Sequence, residues 1–186
     1  MLQTMSETVI VAALRRGNFR RAVELILDNY QEEVYGYCAT LVPDLQSSSV
    51  YQQVLMLALE ELPLFNGVVS IRAWLYGIAR RVVLHRQLRA QRDFSSHSSA
   101  SGPVLAFPRW DGDAAGLRPT DVELDACLDH LSPVSREVLQ LSLWHGLLLS
   151  EVAHVTCRSL VEVRQLVAAG LTTLAGVLRR QGGTPS

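Results

Sequence analysis

Leu62-Pro63-Leu64-Phe65-Asn66-Gly67, followed by Ser70-Ile71-Arg72-Ala73-Trp74-Leu75-Tyr76-Gly77-Ile78-Ala79-Arg80, is the stretch from which the rest of the chain is read. Pro63 and the Asn66-Gly67 pair punctuate a turn. Beyond it Trp74, Leu75, Ile78, Ala79, Val82 and Val83 recur at three- and four-residue steps. That spacing predicts a helix running to about Arg92.

Upstream, residues 7–16 read as a short helix that Gly17-Asn18 stops. Val23, Ile26, Leu27, Tyr30, Val34, Tyr37, Cys38 and Leu41 then mark one apolar face of a long helix. Pro43 and Asp44 end it. Ser47–Ser49 are placed to open the next, because a serine hydroxyl caps unpaired N-terminal amides. That helix carries Val50, Val54, Leu55, Leu57 and Ala58 and stops at Pro63.

Residues 93–120 change character, with a run of serines and small polar residues and then Pro103, Pro108, Gly112, Gly116 and Pro119. The segment reads as a flexible linker between two small domains, 19–92 and 121–181. An N-terminal helix within 1–18 and a tail at 182–186 flank them. In the second domain Thr120 and Glu123 fit a capping box for a helix ending near Leu131, and Ser132-Pro133 opens the next. Gly146 closes that one. Two more helices are expected, one over Leu149–Val155 and one after Ser159, where Glu162 completes another capping box. No strand alternation is present, so the expected fold is all-α: two small helical domains joined by a linker.

The 186 residues are 48% hydrophobic, with a formal net charge of −1, so total charge carries no nucleic-acid signal. Its distribution does. Residues 1–92 hold ten arginines against eight acids, and 121–186 hold five against seven. Every basic residue is arginine, whose fork suits phosphates and carboxylates. The three cysteines, Cys38, Cys127 and Cys157, form no C-x-x-C, which argues against a disulfide framework or a zinc site. The five histidines show no metal spacing, and Asp111-Gly112-Asp113 reads as a turn. No phosphate loop, nucleophile elbow or catalytic carboxylate pair occurs, so neither a catalytic residue nor a cofactor is expected. The N-terminus lacks a signal peptide, and no run of eighteen apolar residues exists, so a cytoplasmic protein without a membrane span is expected.

The two halves of the chain also resemble one family. L-P-L-F-N-G at 62–67 and W-L-Y-G-I-A-R at 74–80 are similar to the promoter-melting domain of extracytoplasmic-function (ECF) sigma factors. Tyr30, Val34 and Tyr37 fall where that family places its first-helix pattern. Leu131-Ser132-Pro133 with Arg136-Glu137-Val138-Leu139, then Gly146-Leu147, Glu151-Val152-Ala153 and Val163-Arg164, resemble the family's C-terminal helix-turn-helix domain. The resemblance covers about 19–92 and 121–180. It implies an all-α protein that binds core RNA polymerase, melts the minus-ten element of promoter DNA, reads the minus-thirty-five element, and has a possible anti-sigma partner.

The departures are specific. The family's acidic A-E-D-L-V-Q-E-T-F helix, which docks on the polymerase clamp, reads Ser47-Ser48-Ser49-Val50-Tyr51-Gln52-Gln53-Val54-Leu55. The resemblance assigns polymerase binding to Ser48, Ser49, Gln52 and Gln53, now without carboxylates. Cys157 replaces the glycine of the helix-turn-helix, and of the family's basic recognition positions only Arg164 stays basic.

Arg72, Arg80, Arg81, Arg86, Arg89 and Arg92 lie in twenty-one residues without an acid. Such a stripe binds phosphates, with salt-dependent affinity, or is a solvated helix face. Asn66 suits the reading of an unstacked base, with Phe65 and Trp74 beside it either as stacking partners or simply as core. In the last helix Arg158, Arg164 and Gln165 are the candidate DNA readers. Their apolar neighbours Leu166, Val167, Ala168 and Ala169 suit a packing or protein-binding helix as well. Two functions compete: a sigma factor that initiates transcription, and a sigma-like adaptor or decoy that binds polymerase or a sigma regulator without reading DNA.

Overall fold

The computed structural model describes residues 2–42, 44–95 and 130–181. Among them there is no strand. The chain divides into two compact units, Met1–Val104 and Leu105–Ser186. Of the linker expected at 93–120, residues 93–95 instead continue the helix that ends at Ser95, and 96–120 lie outside the described residues, as does the expected capping box at Thr120 and Glu123.

Four helices build the first unit: α1 (Leu2–Arg15), α2 (Phe19–Leu41), α3 (Asp44–Glu61) and α4 (Ile71–Ser95). The first helix starts earlier than its periodicity suggested and ends where expected. Gly17 adopts φ +71°, and the Gly17 and Asn18 amides donate back to Leu14 and Ala13, each at 2.9 Å. A left-handed residue closing two such bonds is the common helix stop, and glycine adopts it without penalty. Asn18 then caps α2 by accepting from the Arg21 amide.

The predicted face of α2 is the buried one. Ala22, Ile26, Tyr30, Val34, Tyr37, Cys38 and Leu41 all face inward. α2 packs against α1, α3 and α4, and α3 packs against α4. Tyr37 stacks on Tyr76 of α4 with ring centroids 4.2 Å apart and planes 9° from parallel. The start of α3 differs from expectation. The helix begins at Asp44, so Ser47–Ser49 lie inside it, and Ser47 is buried next to the Tyr35 hydroxyl. They cap nothing, because the chain turns one helical turn earlier. After Glu61 a 3₁₀ turn, Leu62–Leu64, carries Pro63 in its first positions. α4 is capped partly from a distance. The Ile71 amide donates to the Glu7 carboxylate on α1, and the Ala73 amide donates to Ser70 Oγ at 3.1 Å. A carboxylate at a helix N-terminus complements the helix dipole.

In the second unit Ser132 caps α5 (Pro133–Leu139), with Pro133 in its first turn. The helix runs into a π-turn, Gln140–Trp144, and Gly146 follows at φ +60°. α6 (Leu149–Thr156) and α7 (Leu160–Gln181) are joined by Cys157–Ser159. α5 and α6 both pack on α7. Gly170 lets α5 come close, because a Cβ there would lie 2.6 Å from Leu139 Cδ1. Leu131, Leu139 and Leu174 form a core against which Trp144, Val167 and Val177 pack.

Candidate nucleic-acid interface

The loop 65–67 is shaped by its own side chains. Asn66 is exposed, and its Oδ1 accepts from the Val68 amide at 3.1 Å. Its carbonyl oxygen therefore stabilises the turn, and its NH₂ edge is the one turned to solvent. Phe65 and Trp74 meet at 5.1 Å with their rings tilted by 51°. Both are half-buried, so Trp74 braces the loop from α4 while keeping part of its ring accessible. Behind Phe65 lies a cavity of about 190 Å³. Val11, Leu14 and Arg15 of α1, Phe19 of α2 and the turn from Leu62 to Gly67 line it, so apolar side chains and the polar Arg15 and Asn66 share the lining.

The arginines of α4 do not form the uniform stripe expected from the sequence. Arg72 turns inward: its guanidinium donates to Glu33 Oε1 at 3.1 Å, and Tyr76 donates to the same oxygen at 3.0 Å. Arg81 pairs with Glu61 at the end of α3. Arg86 donates to Gln53 Oε1 at 2.9 Å, to the Ser49 carbonyl at 3.1 Å and to Ser49 Oγ at 2.8 Å. The acids and acceptors missing from the local sequence arrive from α2 and α3. Arg80 is half-buried, and Arg89 and Arg92 are exposed. Arg89 has no ion-pair partner among the described residues. Glu33 lies between Tyr30 and Tyr37 on the buried side of α2; its spacing from those two tyrosines was the available sign that it faces α4.

On α3, Ser48 Oγ lies 3.4 Å from the Tyr35 hydroxyl, while Ser49 and Gln53 are engaged by Arg86. Gln52 is exposed. Leu45, Gln52, Met56 and Leu59 recur at steps of seven, four and three, all exposed. The outer face of α3 is thus largely uncharged and partly apolar.

In the second unit Cys157 takes the left-handed conformation, φ 53° and ψ 44°. Its amide and that of Arg158 donate to His154 and Ala153 at 3.2 and 3.0 Å. This is the same closure as at Gly17, made with a side chain present. Ser159 and Glu162 form the expected capping box: the Ser159 amide donates to Glu162 Oε2 at 2.9 Å, and the Glu162 amide donates to Ser159 Oγ at 3.2 Å. The Ser159 amide, and the Ser159 hydroxyl that donates to the same oxygen at 2.8 Å, hold the Glu162 carboxyl below its ordinary pKa. Arg158 is half-buried, 4.0 Å from Glu162, and its Nε is buried without a hydrogen-bond partner. Arg164 and Gln165 are exposed. Thr172 and Thr173 return their hydroxyls to their own helix, to the Ala168 and Ala169 carbonyls at 2.8 and 3.0 Å. Val161 and Leu171 are exposed nearby. The window Leu160–Val177 is long and apolar enough by composition to cross a membrane, although it carries Glu162 and Arg164 and packs against α5 and α6.

Two solved structures share this architecture along nearly the whole chain. CnrH, solved in complex with the cytosolic domain of CnrY, aligns over 94% of this chain and 98% of its own, with a TM-score of 0.61 and 20% identity. The sigma factor RpoE from Bartonella quintana, solved with the anti-sigma factor NepR, aligns over 87% of this chain and 97% of its own, with a TM-score of 0.60 and 18% identity. The chain has a sigma-factor fold. No protein-family model matches the sequence, and comparison with curated proteins finds no match. In this chain the 62–67 turn and α4 lie in one unit and the α6–α7 pair in the other.

Proposed function

We propose that this chain is an ECF-like sigma factor. It binds core RNA polymerase and directs promoter recognition and melting, acting in the cytoplasm as a regulator rather than an enzyme. The observation that carries the reading is the cavity behind Phe65. It is a small cavity of mixed polar and apolar lining that includes the donors Arg15 and Asn66, in the same unit as the arginines of α4. At about 190 Å³ it is smaller than sites for drug-sized ligands and suits a single flat ring. An unstacked base of a melted strand is such a ring. Residues 19–92, within the first unit, form the polymerase-binding and minus-ten domain. Residues 121–181 form the minus-thirty-five domain, with α6–α7 as its helix-turn-helix, and 93–120 link the two. RpoE was solved with an anti-sigma factor, which supports an anti-sigma protein as a further partner.

The outer face of α7 supports a second reading, an adaptor that binds polymerase or a sigma regulator without reading the upstream element. With the Thr172 and Thr173 hydroxyls turned back, Arg164 and Gln165 are the long polar side chains left among exposed Val161, Ala168, Ala169 and Leu171. In-vitro transcription with purified core polymerase on genomic fragments tests both. Specific initiation that Arg164→Ala weakens about tenfold is the expected result, since one bidentate base contact contributes roughly 1–3 kcal/mol. Polymerase binding without initiation, abolished by Val161→Glu in a folded variant, supports the adaptor instead.

A further inference from the structure

The cavity behind Phe65 is closed on one side by α1, which the sequence motifs do not include. α1 is tied to α4 near its middle and closed at its end. Glu7 accepts the Ile71 amide at the start of α4, and the Gly17 closure fixes its last turn. Arg15, in that last turn, lines the cavity. Among the described residues it has no ion-pair or hydrogen-bond partner, and no carboxylate lines the cavity to take its guanidinium. Asn66 lines the cavity too, and its oxygen already accepts from the Val68 amide, leaving its NH₂ group. The cavity therefore offers two donors and no carboxylate.

From this we infer that Arg15 sets the base preference of the pocket: the unpaired base it takes offers two adjacent acceptors, as guanine or cytosine does, and is not adenine. The inference rests on the reading of the cavity as a base pocket. Arginine's fork pairs with two neighbouring acceptors, such as O6 and N7 of guanine. Cytosine presents O2 and N3 in the same way. Adenine fills the same space as guanine but puts an amino group where guanine has O6. That amino group meets a donor, so adenine forgoes the bidentate pair that guanine makes.

The test uses the full chain and short oligothymidylate strands, each carrying one central guanine, cytosine, adenine or thymine, with binding read by fluorescence anisotropy. The guanine and cytosine strands are expected to bind about tenfold more tightly than the adenine strand, the scale of one bidentate contact. Arg15→Ala removes that difference. Arg15→Lys, with the charge retained but no fork, removes it as well, and circular dichroism shows whether each variant is folded. A wild-type chain that binds all strands alike overturns the assignment. So does an Arg15→Ala variant that keeps the preference, or one that binds every strand equally more weakly, which makes Arg15 a phosphate ligand. If no strand binds at all, the base-pocket reading itself fails, a result distinct from binding without preference.

Discussion

Arg72 of α4 donates to Glu33 of α2 at 3.1 Å, across thirty-nine positions of sequence. Both side chains are about three-quarters shielded from water, and Tyr76 donates to the same carboxylate oxygen at 3.0 Å. The cluster ties α2 to α4 beside the stacked Tyr37–Tyr76 pair. Arg72→Ala is expected to lower stability by about 1–2 kcal/mol, because a half-buried carboxylate is deprived of its charged donor while keeping the tyrosine. Urea denaturation measures it. The same variant should leave the salt dependence of DNA binding unchanged, since the guanidinium points into the protein.

Arg86 and Arg89 lie three residues apart and differ in role. Arg86 holds Ser49 and Gln53 of α3, whereas Arg89 is exposed and without an ion-pair partner among the described residues. Arg89→Glu should reduce the slope of log affinity against log salt by about 0.7–0.9 for each phosphate that is no longer neutralised. Arg86→Ala should act mainly on stability, by releasing α3. Anisotropy titrations over a salt series, set beside thermal melts, separate the two. Equal slopes for wild type and Arg89→Glu would remove Arg89 from the nucleic-acid surface.

Cys157 closes α6 at φ 53°, where a side chain crowds the backbone. Glycine does the same at Gly17 without that crowding. Cys157→Gly is therefore expected to stabilise the chain by about 1 kcal/mol, the size of the penalty for a side chain at a left-handed position. A lower urea midpoint for the variant would mean that the exposed thiol contributes more than its backbone strain removes.

Burial alone pushes the Cys38 thiol from an ordinary value of 9.0 to about 12. Burial, aided by Glu7 and Glu33, pushes Tyr30 from 10.0 to about 12, and burial raises Tyr76 as well. The folded state holds these groups neutral, whereas the unfolded chain releases their protons at the ordinary values. Their contribution to stability is thus intact below about pH 9 and disappears as pH rises from there towards about 12. Melting temperatures should fall through that window. Cys38→Ala should start from a lower stability, because it opens a cavity, yet decline less steeply between about pH 9 and 11. A parallel decline would remove Cys38 as a cause.

The sequence by itself determined the helices and their inward faces. Apolar spacing on α2, the Ser132-Pro133 start of α5 and the Ser159–Glu162 box are local, and local physics suffices to form them. It also placed the 62–67 turn, since Pro63 fixes its own φ and Gly67 takes φ +72°, which other residues avoid. The start of α3 escaped it, because serine is an acceptable helix-interior residue once its hydroxyl meets a tyrosine from another helix. Only the tertiary structure decided which arginines remain available for nucleic acid. A charge pattern along one helix records that helix's own acids, but Glu33, Glu61 and Gln53 reach the arginines from α2 and α3. The same holds for the cavity: Val11 and Arg15 of α1 are far from Phe65 in sequence, and the three become one site only when α1 packs beside the turn.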